Sequence, residues 1–428
     1  MNNQLRRVAV IGGSRVPFCR SNTMYAEKTN MDMLSAAIQG LVDRFKLDGE
    51  QIDEVVAGAV VMHSRDVNLA REAVLSTTLS PLTPGITMQQ ACGTSLQAAL
   101  GITAKIASGQ IECGIAAGSD TTSDAPIVFS HKFARRLVKF GQARSFAQKM
   151  NALKGFGFAE LAPQPPRNGE LRTGLSMGQH CERMAREWNV TREDQDQLTM
   201  TSHHRAAAAY EEGFFDELIQ PWGGVSRDNN LRPDTSIEKL SSLKTVFAKG
   251  DKATLTAGNS TPFTDGAAGV LLATEEWAAI RGLPVQAYLT AGQSAAVDFV
   301  HDEGLLMAPT VAVSELLSRT GYRLQDFDYY EIHEAFAAQV LCTLAAWESE
   351  TYCRDRLGLD FTLGSIDRSK LNVKGSSLAV GHPFAATGAR IVSTLGQLLA
   401  NHGSSARGLI SVCTAGGMGV AAIMESVD

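Results

Sequence analysis

The sequence predicts an α/β protein made of two similar halves. Apolar segments with the length of buried strands alternate with amphipathic helical segments, and the same series of elements occurs twice along the chain. A basic stretch of different character separates the two series. We therefore expect a first half at residues 1–125, completed by 250–280, a second half at 281–428, and an inserted domain at 126–249.

Each series is predicted to contain strands and helices in strict alternation, beginning and ending with a strand. The first series is Val8–Ile11, Met33–Phe45, Glu54–Val61, Ser95–Ala107 and Ile111–Ala117. The second series is Val285–Thr290, Val311–Arg319, Asp328–His333, Gly388–Ala400 and Leu409–Val412. Because the same five kinds of element recur in the same order, duplication explains the pattern better than chance. On the helix at Ser95–Ala107, the predicted buried face is Leu96, Leu100, Ala104 and Ala107.

Composition and charge exclude several classes of protein. Hydrophobic residues make up 44% of the 428 residues, which is enough for a large core and too many for a disordered chain. The net charge of −6, from 39 basic and 45 acidic residues, argues against a nucleic-acid-binding protein. No apolar run is long enough to span a membrane, and the run within residues 1–13 is too short for a signal peptide.

The cysteines are scattered, odd in number and never spaced as Cys-x-x-Cys. They are Cys19, Cys92, Cys113, Cys181, Cys342, Cys353 and Cys413. This pattern predicts neither a disulfide framework nor a structural zinc site. We therefore expect a soluble, cytoplasmic protein without a metal.

A basic segment stands out within the predicted insertion. Residues 125–159 contain no acidic residue, and their apolar residues recur at helical spacing among lysines and arginines. Such a segment attracts phosphates, anionic lipid headgroups or an acidic partner, although an ordinary solvated helix face has the same pattern. A peripheral membrane contact through residues 129–158 is one expectation that follows.

Two residues precede the equivalent helices of the two halves. Cys92 lies in Met88–Ser95, and the open N–H groups and dipole of the helix after it lower the pKa of a thiol, which suits a nucleophile. His382 lies in Gly381–Arg390, at the matching place in the second half. If a pseudo-twofold axis relates the halves, the two side chains meet and the imidazole generates a thiolate. The alternatives are a buried apolar cysteine and a helix-capping histidine.

Two further segments follow the ends of predicted strands. Cys413 opens Cys413–Gly419, whose glycines allow backbone N–H groups to approach a developing oxyanion. His333, followed by Glu334, ends a strand, where an imidazole can donate to a substrate carbonyl. An inert thiol and a structural histidine are the alternatives.

One motif is misleading. Gly174–Gly178 matches the G-x-S-x-G elbow of α/β-hydrolases, which requires a strand directly before it. Arg167–Thr173 does not have the pattern of a strand. We therefore do not expect Ser176 to be a nucleophile.

Taken together, these segments resemble the thiolase family of acyl-CoA acyltransferases. The resemblance rests on Met88–Ser95, Glu331–Ala337, Gly381–Gly388 and Cys413–Gly419, with further matches at Gly118–Asp120, Ser176–Gly178 and Thr256–Gly266. It implies a five-layered αβαβα fold of two duplicated halves with an inserted loop domain, in a homodimer or tetramer. It also implies CoA-dependent cleavage of 3-ketoacyl-CoA to acetyl-CoA and a shortened acyl-CoA in fatty-acid β-oxidation, with CoA as a substrate.

The resemblance implies a role for each site residue. Cys92 would carry the acyl group, His382 would activate it, and Cys413 would exchange a proton with the α-carbon of the second thioester. The backbone N–H groups of Cys92 and Ala415 would form one oxyanion hole, and His333 with His382 a second one for the enolate oxygen. The residues expected to line the CoA channel are Met177 and Thr261.

The chain departs from the common family pattern at three positions. His333 stands where many thiolases have asparagine, and His-Glu-Ala-Phe is similar to the branch of β-subunits of the fatty-acid oxidation trifunctional complex. That branch implies a hydratase/dehydrogenase α-subunit as a partner. Ala415 replaces a usual glycine but keeps the backbone donor, and Thr261 replaces a usual serine but keeps the hydroxyl.

Three other functions stay open on the sequence. A β-ketoacyl synthase shares the duplicated fold, but that family uses two histidines and lacks the motif at Cys413. A biosynthetic thiolase acting only on acetyl-CoA would share the catalytic residues. A scaffold subunit that binds a partner through the basic segment would not need an intact Cys92 and His382.

Overall fold

The computed structural model describes residues 5–427. Residues 1–4, part of the segment assessed above for a signal peptide, lie outside the described residues. The strands are β1 (Ala9–Arg15), β2 (Cys19–Arg20), β3 (Glu54–Gly58), β4 (Gly85–Thr87), β5 (Cys113–Asp120), β6 (Thr264–Ala273), β7 (Ala287–Ala296), β8 (Tyr329–Ile332), β9 (Arg407–Thr414) and β10 (Met418–Glu425).

Helices alternate with strands along part of the chain, but α4 to α8 follow one another in the inserted region and α11 to α14 follow one another between β8 and β9. The helices are α1 (Asn30–Phe45), α2 (Leu69–Leu75), α3 (Thr94–Ala107), α4 (His131–Gln142), α5 (Phe146–Leu153), α6 (Met177–Glu187), α7 (Arg192–Glu211), α8 (Ile237–Ser241), α9 (Glu275–Ile280), α10 (Ala308–Thr320), α11 (Ala337–Glu348), α12 (Glu350–Asp355), α13 (Ser377–Val380) and α14 (Thr387–His402). All ten predicted elements are present with shifted ends. The strand predicted to stop before Gly118, for example, continues to Asp120.

Nine of the ten strands form a mixed sheet in the order β4-β3-β5-β6-β1-β7-β10-β9-β8, and β2 pairs with β6 outside this order. In its first section β3 and β5 are parallel, and β6 and β1 extend them antiparallel. In its second section β8 and β9 are parallel, and β10 and β7 extend them antiparallel. The two sections meet where β1 pairs with β7 through Ala9 and Val10. The same topology therefore occurs twice, as a duplication requires.

Alternating side chains on each section create three helical layers. One face of the first section packs against α1 and α2, and one face of the second packs against α10 and α11. The other face of both sections packs against α3 and α14, which share a central apolar cluster. The layers therefore run helix, sheet, helix, sheet, helix, and the predicted five-layered αβαβα fold is confirmed.

The predicted buried face of α3 was partly wrong. Leu96 is buried as expected, but Ala104 is exposed, and Ile102 and Ile106 contribute to the central cluster instead. Alanines occur on both sides of this helix, so the period alone does not fix which arc faces the core. The position between two sheet sections and α14 determines it.

The inserted region contributes a helix that the periodicity did not predict. Helix α7 buries polar residues, among them Gln195, Thr199 and His203, and so lacks a continuous apolar stripe. The segment before Ser176 is not a strand, and the Ser176 hydroxyl caps α6 by accepting from the Gln179 N–H. None of the helices within residues 5–427 has the length and apolar character needed to cross a membrane.

Candidate active site

Cys92 lies in a tight turn directly before α3. The residue before it, Ala91, has φ of 47°, a left-handed conformation that residues with a Cβ rarely adopt. The turn places the thiol at the N-terminus of α3, which begins at Thr94, as the sequence predicted. Only 8% of Cys92 is exposed, so the thiol is largely shielded from water.

His382 reaches Cys92 from the loop between α13 and α14. The preceding Gly381 has φ of 101°, and a Cβ there would lie 2.8 Å from the Thr264 side chain. The Thr264 Oγ1 accepts a hydrogen bond of 2.8 Å from the His382 backbone N–H. Strand β6 of the first half therefore holds the loop that carries this histidine of the second half.

The thiol and the imidazole are in direct contact. Nε2 of His382 lies 3.1 Å from Sγ of Cys92, and Nδ1 of the same ring lies 2.5 Å from Oγ1 of Thr387. A neutral imidazole donates from one nitrogen and accepts at the other. When Nδ1–H donates to Thr387, Nε2 is left to accept the thiol proton, as a general base must.

Burial disfavours the charged form of both partners. It raises the pKa of the Cys92 thiol to about 12 and lowers the pKa of His382 to about 3, to which the nearby Arg390 cation also contributes. Against this, the backbone N–H groups of Ala415 and of Cys92 itself lower the pKa of the thiol. The resting pair is thus a neutral thiol facing a neutral imidazole, beside two N–H groups that favour negative charge.

His333 lies beside this pair, immediately after β8. Its ring centre is 4.1 Å from that of His382, and its Nδ1 lies 2.9 Å from Oγ of Ser377. Its Nε2 is buried and has no hydrogen-bond partner within residues 5–427. Burial, followed by the neighbouring His382 and Arg390, lowers the pKa of His333 well below its usual value, so the ring is neutral.

A second thiol lies close to the first. Cys413 is the penultimate residue of β9, next to the turn that carries Ala415, and burial together with the Cys92 thiol raises the pKa of Cys413. The backbone N–H of Gly416 in this turn donates to the Glu170 carboxylate at 3.0 Å. Glu170 comes from the inserted region and was not predicted from sequence, since no motif marks it.

Two buried carboxylates fix the loops around the site. Asp120 accepts backbone hydrogen bonds from Val60, Val61 and Ala385, and so ties the end of β5 to the loop of His382. Burial raises the pKa of Asp120 to about 7 although these N–H groups lower it. Glu334 holds the segment after His333 through hydrogen bonds from Ser202, Asn372 and Leu378.

The two residues expected to line a CoA channel lie in adjacent segments. Met177 begins α6 and packs against the apolar cluster that contains Cys413. Thr261 donates from Oγ1 to the backbone oxygen of Ala335 at 3.1 Å, two residues after His333. Their contact with CoA stays a prediction.

The same side chains have the chemistry of metal ligands. The donor atoms of Cys92, His333 and His382 lie within 4.8 Å of one another, and a thiolate with two neutral imidazoles is a ligand set that zinc accepts. The 3.1 Å contact between Nε2 of His382 and Sγ of Cys92 is also the geometry of proton transfer from a thiol to a base. A nucleophile, a base, a second thiol and an unpartnered buried ring nitrogen can together form a covalent thioester and stabilise an oxyanion.

Comparison with known proteins agrees with this chemistry. Residues 8–276 match the family model of the thiolase N-terminal domain, and residues 283–426 match that of the thiolase C-terminal domain. A 3-ketoacyl-CoA thiolase of Shewanella baltica strain OS185 is 39% identical over 430 residues, covering 99% of this chain and 98% of that protein. A 3-ketoacyl-CoA thiolase of Shewanella loihica is also 39% identical, covering 98% and 97%.

Solved structures with the same architecture cover nearly the whole chain. The crystal structure of the Bacillus anthracis acetyl-CoA acetyltransferase superposes with a TM-score of 0.82 at 28% identity, covering 100% of both chains. That of human mitochondrial 3-ketoacyl-CoA thiolase superposes with a TM-score of 0.81 at 26% identity, covering 99% of both. The human protein has also been crystallised in complex with CoA.

Proposed function

The chain belongs to the thiolase family, and on that premise we propose how its residues divide the steps of the reaction. It is a CoA-dependent acyltransferase that cleaves 3-ketoacyl-CoA to acetyl-CoA and a shortened acyl-CoA. The observation that supports the assignment best is the 3.1 Å contact between the Cys92 thiol and the His382 imidazole.

In the first step the sulfur of Cys92 attacks the 3-keto carbon while His382 takes the thiol proton. The backbone N–H groups of Cys92 and Ala415 receive the negative charge on the carbonyl oxygen, since both already stabilise charge at the sulfur. The bond between the α-carbon and the former keto carbon then breaks. The acyl chain stays on Cys92 as a thioester, and the enolate of acetyl-CoA leaves.

In the second step this enolate is protonated and CoA attacks the thioester, with Cys413 as the proton carrier and His333 as the donor to the enolate oxygen. Cys413 gives its proton to the α-carbon, which its raised pKa allows because the thiol stays protonated until then. His333 donates from Nε2 to the enolate oxygen. The Cys413 thiolate next takes the proton of the CoA thiol, CoA attacks the Cys92 thioester, and His382 returns its proton to the freed Cys92 sulfur.

The test is thiolysis of a series of substrates from acetoacetyl-CoA to 3-ketohexadecanoyl-CoA, followed as CoA-dependent loss of the ketoacyl ester. We expect cleavage by the wild-type enzyme, an acyl adduct on Cys92 by intact mass, and neither with Cys92→Ala. Cys113→Ala, which removes a buried thiol on β5 outside the site, is the matched control. No cleavage at any chain length, or full activity of Cys92→Ala, would refute the assignment.

The same series tests the metabolic setting. We propose that the enzyme serves fatty-acid degradation, since the relatives named above are 3-ketoacyl-CoA thiolases and fatty-acid degradation requires cleavage of such esters, and we expect cleavage to rise with chain length. Activity confined to acetoacetyl-CoA would instead indicate a short-chain, biosynthetic enzyme.

The cytoplasmic location and the homodimer or tetramer also stay predictions, the latter to be tested by sedimentation.

We further propose that the insertion, residues 126–249, is a separate unit between halves at 1–125 with 250–280 and at 281–428, and that it carries a docking surface. Helices α4 and α5 enclose a basic groove and have no buried residue. Beside it, Phe146 is 79% exposed and Phe158 85% exposed.

This combination of basic and apolar groups fits an acidic partner such as a hydratase/dehydrogenase subunit. The test is a pull-down with Lys132, Arg135 and Lys139 reversed to glutamate, with binding to anionic vesicles measured in parallel. Retention of the partner by the reversed variant would contradict partner docking, and vesicle binding lost on reversal would support the lipid contact instead.

A further inference from the structure

We propose that Ser377 and Arg390 are positioning residues that fix the tautomer of His333, so that its Nε2–H faces the enolate oxygen. The inference rests on the proposed function, because it concerns a donor that acts on the enolate of that reaction. It is based on three buried side chains joined by hydrogen bonds, Arg390, Ser377 and His333, next to the catalytic pair.

The donor and the acceptor of each hydrogen bond among these three side chains can be assigned. Nη2 of Arg390 donates to Oγ of Ser377 at 2.8 Å, and a guanidinium has no acceptor to offer in return. The hydroxyl proton of Ser377 must therefore go elsewhere. Within residues 5–427 the other partner of this hydroxyl is Nδ1 of His333 at 2.9 Å. Nδ1 is therefore an acceptor, and in a neutral ring the hydrogen is on Nε2.

The Nε2–H of His333 is therefore available to donate to the substrate. Nε2 of His333 is fully buried and makes no hydrogen bond within the described chain. A buried donor without a partner is unfavourable, and a ligand oxygen at this place would satisfy it. Burial is the main reason that both rings are neutral, and the cation of Arg390, which orients Ser377, adds to this effect.

The two active-site rings thereby hold opposite tautomers. His382 donates from Nδ1 to Thr387 and accepts at Nε2, whereas His333 accepts at Nδ1 from Ser377 and donates from Nε2. One ring therefore receives a proton from Cys92 while its neighbour, 4.1 Å away, offers one.

This arrangement explains how histidine serves at a position where many thiolases have asparagine. An amide always presents N–H donors, so asparagine needs no fixed tautomer. A histidine presents a donor toward the substrate only when its other nitrogen is held as an acceptor. Ser377 and Arg390 supply that condition.

Arg390 is suited to a permanent donor role. Burial lowers its pKa to about 10, a shift that the neighbouring Glu331 and Glu334 oppose, so it remains charged near neutral pH. Its guanidinium also lies 3.3 and 3.4 Å from Oγ of Ser376, which makes no contact with His333. Ser376 therefore provides a matched control on the same helix cap.

The first test compares Ser377→Ala with Ser376→Ala in steady-state thiolysis. For Ser377→Ala we expect kcat to fall about tenfold or more with KM within about twofold, because the ring loses both its fixed tautomer and the hydrogen bond that orients it, so the enolate donor is misplaced in the transition state. Ser376→Ala should keep the wild-type kcat, and Ser377→Thr, which retains a hydroxyl, should recover activity. A Ser377→Ala enzyme with at least half of the wild-type kcat would overturn the proposal.

A double-mutant cycle separates the tautomer from general loss of structure. In the His333→Asn background the donor is an amide, so Ser377→Ala should reduce kcat much less than in the wild type. An equal fold loss in both backgrounds would overturn the proposal. Acetylation of Cys92 by acetyl-CoA, measured by intact mass, should stay near the wild-type rate in Ser377→Ala, because this transfer forms no enolate and uses the other oxyanion hole.

The tautomer can also be read directly. Long-range ¹H–¹⁵N correlation of histidine-labelled enzyme, with His333→Asn to assign the signal, should show protonated Nε2 and unprotonated Nδ1, and Ser377→Ala should mix the two forms. A protonated Nδ1 in the wild type would refute the inference. If the wild-type enzyme cleaved no ketoacyl-CoA, the proposed function would fail, and the spectrum would still decide the tautomer.

Discussion

Gly388→Ala is expected to separate the two central helices and to slow catalysis. Gly388 lies in the first turn of α14, where it packs against α3. An added Cβ would lie 2.2 Å from the backbone nitrogen of Leu96 and 2.7 Å from its Cβ, whereas ordinary contact begins at 3.4 Å. Backbone atoms on both sides leave no flexible side chain to yield, so the helices must move apart by about 1.2 Å.

The displacement acts on the catalytic pair because Cys92 precedes α3 and His382 precedes α14. It would lengthen the distance between Sγ and Nε2 from 3.1 Å to about 4 Å, beyond a useful hydrogen bond. A misplacement of about 1 Å costs on the order of a hundredfold in rate. We also expect the free energy of unfolding to fall by about 1–3 kcal/mol, the usual cost of overpacking.

The assay is thiolysis kcat together with the rate of Cys92 alkylation by iodoacetamide and urea unfolding. Gly101→Ala is the control, because it adds the same methyl group to α3 at a position with no heavy atom within 4 Å. That variant should keep kcat and gain about 0.5–1 kcal/mol of stability from helix propensity. A folded Gly388→Ala enzyme with kcat within threefold of wild type would refute this account of how the pair is held.

Three further outcomes are expected. Thr387→Val removes the acceptor of the catalytic imidazole and should lower kcat about tenfold, whereas Thr387→Ser should restore it; equal kcat values would contradict the tautomer of the base. Burial lowers the pKa of His203 to about 4 from an unfolded value near 6.5, so its contribution is present above pH 6.5 and is lost as pH falls toward 4. When the pH is lowered from 7 to 5, the free energy of unfolding of His203→Gln, measured with urea, should therefore fall by about 2 kcal/mol less than that of the wild type. Identical pH slopes would count against this. Asp228→Ala leaves the buried Arg15 guanidinium without the carboxylate that it contacts at 2.6 and 2.7 Å and should cost about 3–5 kcal/mol, while Asp234→Ala, at an exposed pair, should cost less than about 1 kcal/mol; similar losses would refute the distinction.

Periodicity predicted the fold where an element has one clear apolar signal. Strand β9 contains a short, mostly apolar run and helix α14 has a wide apolar face, and both were predicted. Strand β10 was not, because its glycine and alanines have little strand character until they pack between β7 and β9. Helix α7 was missed for a related reason, since its buried residues are largely polar and find their partners only in the folded protein.

The catalytic pair could be predicted from the sequence because each residue occupies the same position relative to the repeated elements. Cys92 and His382 each precede the central helix of one half, and duplication implies that such positions meet. The groups that set the tautomers of the two rings were not accessible in this way. Thr387 and Arg390 lie within a motif that was noted, but their partners depend on loop geometry that no periodicity encodes.

The division of the catalytic pair between two repeats has an evolutionary consequence. A protein assembled from two identical copies would carry the same residue before each central helix, and so two nucleophiles or two bases but never one of each. Once the copies are encoded separately, as the repeats of a single chain are, they are free to diverge at matching sites. Neither repeat can then replace the catalytic residue of the other. Separate expression of the repeats would yield activity only where the two fragments reassemble around α3 and α14.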